Sequence, residues 1–187
     1  MNVLITGASG SGTTTLGKYT ADKLKWNFID TDDYYWLPTD PPYEKERDSN
    51  ERLDLILDEI KKHDSNVIAG SVMEWGEIIE ESFDLITFLY LNTSIRVDRL
   101  KKREKANLGR VDREFIKWAS EYDTGPEYGR SYAKHKVWLA KRKCRVIRIE
   151  GDLTTERRYR ILLEAISKIR ITFEGEGQGC EKTKYTQ

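Results

Sequence analysis

The chain has 187 residues, with 32 basic and 32 acidic side chains and no formal net charge at neutral pH. This length suits one compact domain, and the balanced charge argues against a dedicated DNA-binding module, which usually carries a basic excess. The longest apolar run, at 85–91, is far shorter than the roughly 20 residues that cross a bilayer. No basic start followed by an apolar stretch marks a signal peptide. We therefore expect a soluble, cytoplasmic protein that binds neither nucleic acid nor membrane.

Short apolar runs alternate along the chain with charged segments of helical period. The runs predict strands at Asn2–Thr6, Asn27–Asp30, Asn66–Ala69, Leu85–Leu91 and Arg145–Ile149. The charged segments predict helices at Thr14–Leu24, Ser49–Lys62, Thr93–Glu104, Glu114–Glu121 and Thr154–Ile171. Runs without alternation are typical of strands buried on both faces, and the strand–helix order implies a parallel sheet. The sequence predicts an α/β fold of the three-layer, doubly wound kind, with a five-stranded parallel sheet and helices on both faces.

Two segments interrupt this alternation. Residues 31–48 are rich in Asp, Pro and aromatic residues, and are too long for a simple connection. Residues 105–142 contain scattered helix signals and many basic residues. Both are expected to lie above the sheet, the second as a lid-like segment. The domain is expected to span 1–172, and the Gly- and charge-rich stretch 173–187 predicts a disordered tail.

A glycine-rich loop joins the first predicted strand to the first predicted helix. It reads Gly-Ala-Ser-Gly-Ser-Gly-Thr-Thr from residue 7 and has the Walker A spacing, except that Thr13 replaces the Lys. The backbone N–H groups of such loops converge on anions, and the helix N-terminus adds unpaired donors. We expect the loop to hold nucleotide phosphates through Gly7, Ser9, Gly10, Ser11, Gly12, Thr13, Thr14 and Thr15. The alternative is a tight turn that binds nothing.

At these residues the chain resembles the P-loop kinases of the adenylate kinase and shikimate kinase type. The resemblance covers about residues 1–170 and is specific at the loop and at 30–42. It implies that the γ-phosphoryl group of ATP, bound with Mg²⁺, is transferred to a small-molecule acceptor under a closing lid. It also implies that Arg103 faces ATP and that the backbone at Gly151 and Asp152 surrounds the adenine edge. The rest of the basic helix face, with Arg96 and Arg99, is expected to be solvated.

The Thr at position 13 removes a cation that normally bridges the β- and γ-phosphates. Loss of one such donor lowers a rate by on the order of 10²–10³. Either another cation reaches the site, or the protein binds nucleotide without turning it over. Arginines of the lid-like segment are the predicted replacements, namely Arg110, Arg113 and Arg130. Arg130 is favoured because Gly125 and Gly129 nearby are suited to act as hinges.

Acidic residues follow the second predicted strand, at the strand end where doubly wound sheets bind ligands. We expect Asp30 to hold Mg²⁺ together with the Thr14 hydroxyl. The resemblance implies that an acid after this strand contacts the acceptor, and Asp32 is expected to take that role and orient the acceptor. A carboxylate here is also able to accept the proton of an acceptor hydroxyl. The alternative for Asp30, Asp32 and Asp33 is helix capping and turn formation.

The aromatic residues after these acids form a flat, rigid segment. Tyr35 and Trp36 are expected either to stack against the acceptor or to attach the segment to the sheet. Gly70 and Ser71, at the end of the third predicted strand, are expected to line the same cleft. The two histidines, His63 and His135, are expected to be structural or exposed.

The leading interpretation is an ATP-dependent phosphotransferase that acts on a nucleoside monophosphate or on another hydroxyl- or phosphate-bearing metabolite. The alternative is a nucleotide-binding sensor or partner-binding protein that lost catalysis with its Lys. Slow ATP hydrolysis is a third interpretation.

Overall fold

The computed structural model describes residues 1–126 and 128–177. Its strands are β1 (Asn2–Gly7), β2 (Asn27–Asp30), β3 (Asn66–Ala69), β4 (Leu85–Tyr90) and β5 (Arg145–Glu150). Its helices are α1 (Thr13–Leu24), α2 (Thr31–Tyr35), α3 (Ser49–Lys61), α4 (Glu77–Glu80), α5 (Thr93–Leu108), α6 (Arg113–Ser120), α7 (Tyr132–Ala140) and α8 (Thr155–Gly177). Each predicted strand is present, with its ends within one residue of the prediction, whereas α2, α4 and α7 were not predicted.

The five strands form one parallel sheet in the order β2-β3-β1-β4-β5. The chain builds the β2 and β3 side first and then crosses to the other side of β1 at β4. The carboxyl end of β1 therefore lies where the direction of winding changes, which is where open α/β sheets bind ligands. This topology places the glycine-rich loop, directly after β1, at the expected ligand-binding edge.

Helices cover both faces of the sheet, so the fold has three layers. On one face, α1 and α8 pack on the central strands through residues that include Leu16 and Leu162. On the other face, α3, α4 and α7 pack through residues that include Ile56, Ile79 and Trp138. Strands β1 to β4 contribute side chains to both clusters, and β5 contributes Ile147 and Ile149 to the first. The predicted fold class is confirmed.

The segment between β4 and β5 forms a helical layer around α5, α6 and α7. Leu100, Ile116 and Ala119 form a small apolar cluster between α5 and α6. The expectation of a solvated basic face is wrong for Arg96, which is 1% exposed. Its guanidinium donates to the backbone carbonyls of Leu91 and Ala119, at 3.0 and 3.1 Å.

The last helix extends into the segment that was expected to be a tail. The structure describes α8 through Gly177, and residues 178–187 lie outside the described residues. Among the described helices, none combines the length and the apolar character that crossing a membrane requires.

Candidate functional site

The glycine-rich loop turns directly from β1 into α1. The Ser11 N–H donates to the Ala8 carbonyl at 3.0 Å, which closes a tight turn. Gly12 follows with φ 96°, a left-handed conformation that disfavours residues with a side chain. Thr13 then begins α1, and within the described structure no side chain caps this helix at Gly12. The first-turn N–H groups of α1 are therefore available to an anion.

A cavity of about 890 Å³ lies in front of this loop. Three groups of side chains surround it: loop residues, acids from the end of β2, and arginines from α5 and α8. The residues that line it are Gly10, Gly12, Thr13, Thr14, Thr15, Leu16, Lys18, Phe28, Asp30, Asp32, Asp33, Tyr43, Arg99, Leu100, Arg103, Asn107, Leu153, Thr155 and Arg158. A cavity of about 700 Å³ lies elsewhere, beside Asp84 and Arg145 at the amino-terminal ends of β4 and β5. That end of a parallel sheet is not where open α/β folds bind ligands.

Two aspartates face the loop across the cavity, and both have perturbed acidities. Asp30 caps α2 by accepting a hydrogen bond from the Asp32 N–H at 3.2 Å. Burial raises the pKa of Asp30, although that N–H and the Thr14 hydroxyl both lower it. Asp32 reaches solvent through the cavity, yet the surrounding protein removes enough water to raise its pKa, while the charges of Arg130 and Arg103 lower it. A carboxyl with a raised pKa is a stronger proton acceptor than an ordinary surface carboxylate.

The donor set fits a magnesium ion that is held partly by a ligand. Within the described part of the chain, no group of three or more His, Cys, Asp or Glu side chains forms a metal cage. The Thr14 hydroxyl, however, lies near enough to the Asp30 carboxylate to lower its pKa. One hydroxyl and one carboxylate beside a phosphate loop suit Mg²⁺, which usually keeps waters and phosphate oxygens among its ligands.

Positive charge reaches the cavity from three helices, because Lys18 of α1 lines it together with arginines of α5 and α8. Arg99 and Arg103 project from α5, and Arg158 projects from α8. Arg158 is 5% exposed and donates to the backbone carbonyls of Ser11 and Gly151, at 2.7 and 2.9 Å. Arg99 forms an ion pair with Asp152. The cavity thus combines a phosphate loop, carboxylates and three guanidinium groups.

The aromatic residues divide between the cavity and the core. Tyr43 lines the cavity and is 58% exposed. Tyr35 stacks on Trp75 with ring centroids 6.1 Å apart, and the Arg52 guanidinium lies 4.8 Å from the centre of the Tyr35 ring. Trp36 packs against both Tyr35 and Tyr43. Tyr43 and Phe28 are therefore the aromatic residues in the described lining of the cavity.

The sequence profile of the family described as "AAA domain" matches residues 3–117, more than half of the chain. The chain belongs to the AAA domain family. A relative, the "Uncharacterized protein YqaC" of Bacillus subtilis, is 34% identical over 176 residues, which cover 89% of this chain and 97% of YqaC. This match extends the family likeness beyond the profile, over nearly the whole domain.

Other members of this similarity group carry kinase names. A "Probable gluconokinase" of Xenopus tropicalis is 28% identical over 123 residues, covering 52% of this chain and 65% of that protein. A cytidylate kinase of Archaeoglobus fulgidus is 27% identical over 125 residues, covering 61% of this chain and 68% of that protein. A solved shikimate kinase from Acinetobacter baumannii superposes with a TM-score of 0.59 at 16% identity, over 89% of this chain and 93% of that one. The predicted resemblance to P-loop small-molecule kinases is confirmed.

The cavity collects some of the predicted site residues and not others. It brings together the predicted loop residues Gly10 and Gly12–Thr15, the two aspartates and Arg103. The remaining predicted residues lie outside its lining: Gly7, Ser9, Ser11, Tyr35, Trp36, Gly70, Ser71, Arg110 and Arg130. Arg130 still acts on Asp32 through its charge. Arg110 is exposed in the turn that follows α5.

Arg158 and Tyr43 are site residues that the sequence analysis missed. Arg158 lies 147 positions after Ser11, whose carbonyl it contacts. A signal was present, because the residue shares a helical spacing with the buried Leu162 and Ala165. An arginine in an apolar helix stripe has to find a polar partner.

Proposed function

We propose that this protein is an ATP-dependent phosphotransferase that moves the γ-phosphoryl group to a small molecule. One observation carries the proposal: the phosphate loop and the carboxylates at the end of β2 face each other across a single cavity of about 890 Å³. A donor nucleotide on the loop and an acceptor beside the carboxylates would then share one cavity. Its volume is in the range of pockets that bind small molecules.

The loop side of the cavity supplies phosphate binding. The residues proposed to hold ATP are those of the loop: Gly7, Ser9, Gly10, Ser11, Gly12, Thr13, Thr14 and Thr15. Their backbone N–H groups and the amino end of α1 provide donors directed at negative charge. Arg103, which lines the same cavity, adds a guanidinium that suits phosphate geometry. Mg²⁺, proposed to be held by Thr14 and Asp30, would offset phosphate charge when bound.

The acid side of the cavity supplies the proton acceptor. In the proposed step an acceptor oxygen bonds to the γ-phosphorus and the bond to the β,γ-bridging oxygen breaks. ADP leaves with that electron pair, and the proton of the acceptor hydroxyl passes to the Asp32 carboxylate. Since burial raises the pKa of Asp32, its carboxylate accepts this proton more readily than an exposed one.

The acceptor class follows from the charges around Asp32. The charges of Arg130 and Arg103 both reach this carboxylate, so an acceptor beside it also meets positive charge. We therefore propose a hydroxyl-bearing acceptor that carries an acidic group, such as a nucleoside monophosphate or a phosphate- or carboxylate-bearing metabolite. The remaining proposed contacts of this acceptor are Tyr35, Trp36, Gly70 and Ser71. Arg130, with Arg110 as a second lid arginine, is proposed to cover the transferring group.

The first test is calorimetric titration of the purified protein with Mg-ATP and with Mg-ADP. Micromolar binding is expected, followed by ADP release when acceptors of the proposed class are supplied. Asp32→Asn is expected to abolish transfer and leave Mg-ATP binding unchanged, because the side chain acts on the acceptor. Absence of binding at millimolar nucleotide would overturn the proposal, and equal loss of binding and transfer in Asp32→Asn would overturn the role of Asp32.

The Thr at position 13 favours a second candidate function, a nucleotide-binding sensor without transferase activity. In that case Mg-ATP binds, and no acceptor of the proposed class increases ADP release above hydrolysis. A sensor has less need for Asp32, so Asp32→Asn would then leave every nucleotide-dependent property unchanged. The acceptor screen therefore separates the two functions.

A further inference from the structure

The space next to Gly12 in the phosphate loop is occupied by guanidinium groups from two distant helices. An ideal β-carbon built on Gly12 would lie 3.1 Å from Arg158 Nη1 and 3.8 Å from Arg99 Nη1. Gly12 directly precedes Thr13, the position where a Walker A loop carries its Lys. Guanidinium nitrogens therefore lie next to Gly12, the residue that precedes the position of the absent Lys.

Arg158 is held firmly but its charge is poorly compensated. It is 5% exposed, and among the described residues its guanidinium donates to the neutral carbonyls of Ser11 and Gly151. Its Nε is buried and has no hydrogen-bond partner within the described residues. Asp152 attracts Arg158 at a distance but forms its ion pair with Arg99. A buried guanidinium without a paired anion is costly.

The two guanidinium groups also repel each other. Burial lowers the pKa of Arg158, and the charge of Arg99 lowers it further. An anion bound at the loop would relieve both penalties, since it would lie beside both groups. Phosphate is the anion that the loop itself is built to hold.

We propose that Arg158, assisted by Arg99, provides at the phosphate loop the positive charge that Thr13 lacks. The inference rests on the proposed function, because it assigns a phosphate-binding residue to that site. It differs from the prediction of a lid arginine in one respect. Arg158 belongs to the helix that follows β5 and is fixed before any lid moves.

The decisive variants separate charge from structural support. Arg158→Met removes the charge, Arg158→Lys retains it with fewer carbonyl bonds, and Thr13→Lys restores the Walker A cation. Arg157→Met is the matched control, since Arg157 is the exposed neighbour on the same helix. Each variant is titrated with Mg-ATP in a calorimeter, and its cooperative melting is recorded alongside.

Arg158→Met is expected to weaken Mg-ATP binding by on the order of 10- to 100-fold, whereas Arg157→Met leaves it unchanged. Adding Thr13→Lys to Arg158→Met is expected to restore most of the loss. Folded Arg158→Met that binds within about twofold of the wild type would overturn the inference, as would failure of Thr13→Lys to restore binding. If the wild type itself does not bind Mg-ATP, the proposed function fails instead.

If Arg158→Met no longer melts cooperatively, Arg158→Lys provides the test of the role of Arg158. It is expected to keep Mg-ATP affinity within about threefold, because the charge remains near the loop. If folded Arg158→Lys bound Mg-ATP tenfold or more weakly, the role of Arg158 would be to hydrogen-bond the two carbonyls and not to supply charge, and the inference would be overturned.

Discussion

Thr31 fills the space that a side chain at residue 70 would need. An ideal β-carbon on Gly70 would lie 1.9 Å from Thr31 Oγ1, and the same oxygen accepts a hydrogen bond from the Ser71 N–H at 3.1 Å. Thr31 begins α2, the helix that carries Asp32. The end of β3 therefore fixes the position of the proposed proton acceptor.

We expect Gly70→Ala to disturb transfer more than nucleotide binding, because it displaces α2 and not the phosphate loop. The overlap and the φ of +125° at residue 70 predict a loss of at least about 2 kcal/mol in the free energy of unfolding. Gly109→Ala is the control: its φ is +68° but nothing lies within 4 Å of the added carbon. It is expected to cost about 1 kcal/mol. Equal losses for both variants in urea unfolding would contradict this account.

The raised pKa of Asp32 has a consequence for stability. Burial makes the ionised form of Asp32 less favourable in the folded protein than in the unfolded chain. This lowers the free energy of unfolding at neutral pH, and the loss disappears as the pH falls through the folded pKa. Asp32→Asn is therefore expected to increase the free energy of unfolding at pH 7, by less than about 1 kcal/mol because the side chain reaches solvent.

The gain from Asp32→Asn should shrink as the pH approaches the ordinary value of 3.8. Urea unfolding at several pH values measures this trend. Asp54→Asn, at an exposed position of α3 whose charge does not act on Asp32, provides the comparison and is expected to change the free energy of unfolding little. A stability gain that does not depend on pH would point to a cause other than ionisation.

Removal of Arg130 tests whether its charge acts on Asp32. Its positive charge lowers the pKa of Asp32, so Arg130→Ala is expected to raise that pKa and move the acidic limb of the kcat/KM profile to higher pH. We also expect kcat/KM at neutral pH to fall by on the order of 10-fold, since a cation near the transferring group is lost. Lys117→Ala, which removes an exposed cation from α6, should leave the profile in place. A profile that does not move in Arg130→Ala would exclude the electrostatic role.

His135 makes stability sensitive to mild acid. The residue is fully buried, its Nδ1 lies 2.7 Å from the Tyr122 hydroxyl, and burial lowers its pKa to about 3. In the unfolded chain the His135 side chain binds a proton near pH 6.5, whereas in the folded protein it stays neutral at that pH. The contribution of neutral His135 to the free energy of unfolding is therefore fully present above pH 6.5 and declines as the pH falls toward the pKa of the folded protein.

His135→Leu is expected to flatten the pH dependence of unfolding below pH 6.5, by up to about 1.4 kcal/mol per pH unit. It should also lower stability at pH 8, because Tyr122 loses its partner. His63→Gln, at the exposed second histidine, should keep the wild-type slope. An unchanged slope in His135→Leu would show that the acid sensitivity arises elsewhere.

The sequence predicted the strands and helices that show a local pattern of apolar residues. Strand β3 is buried along its whole length and shows as an apolar run, so it was predicted at both ends. The partly buried edge strand β2 was also predicted at both ends, from a shorter apolar run. Helices α2 and α4 have five and four residues, too few to show a helical period. Helix α7 was missed because only His135 and Trp138 of its nine residues are buried, which leaves no apolar stripe.

The candidate site was predictable where it is contiguous in sequence. The phosphate loop and the aspartates after β2 are short segments at strand ends, and topology alone brings them together. The source of the compensating cation was not predictable in this way. Arg158 meets Ser11 across 147 positions, and only the packing of α8 on α1 makes that contact.

The buried Arg96 side chain connects the phosphate loop to α6. One guanidinium donates to the carbonyls of Leu91 and Ala119, and more weakly to that of Ser9 at 3.4 Å. If α6 moved away from α5, the hydrogen bond to Ala119 would break and the buried Arg96 guanidinium would lose that acceptor. Arg96 also pairs with Asp123, so the loop, α6 and the turn as far as Asp123 should move as one body. Closure over a bound nucleotide would then have to pivot beyond Asp123.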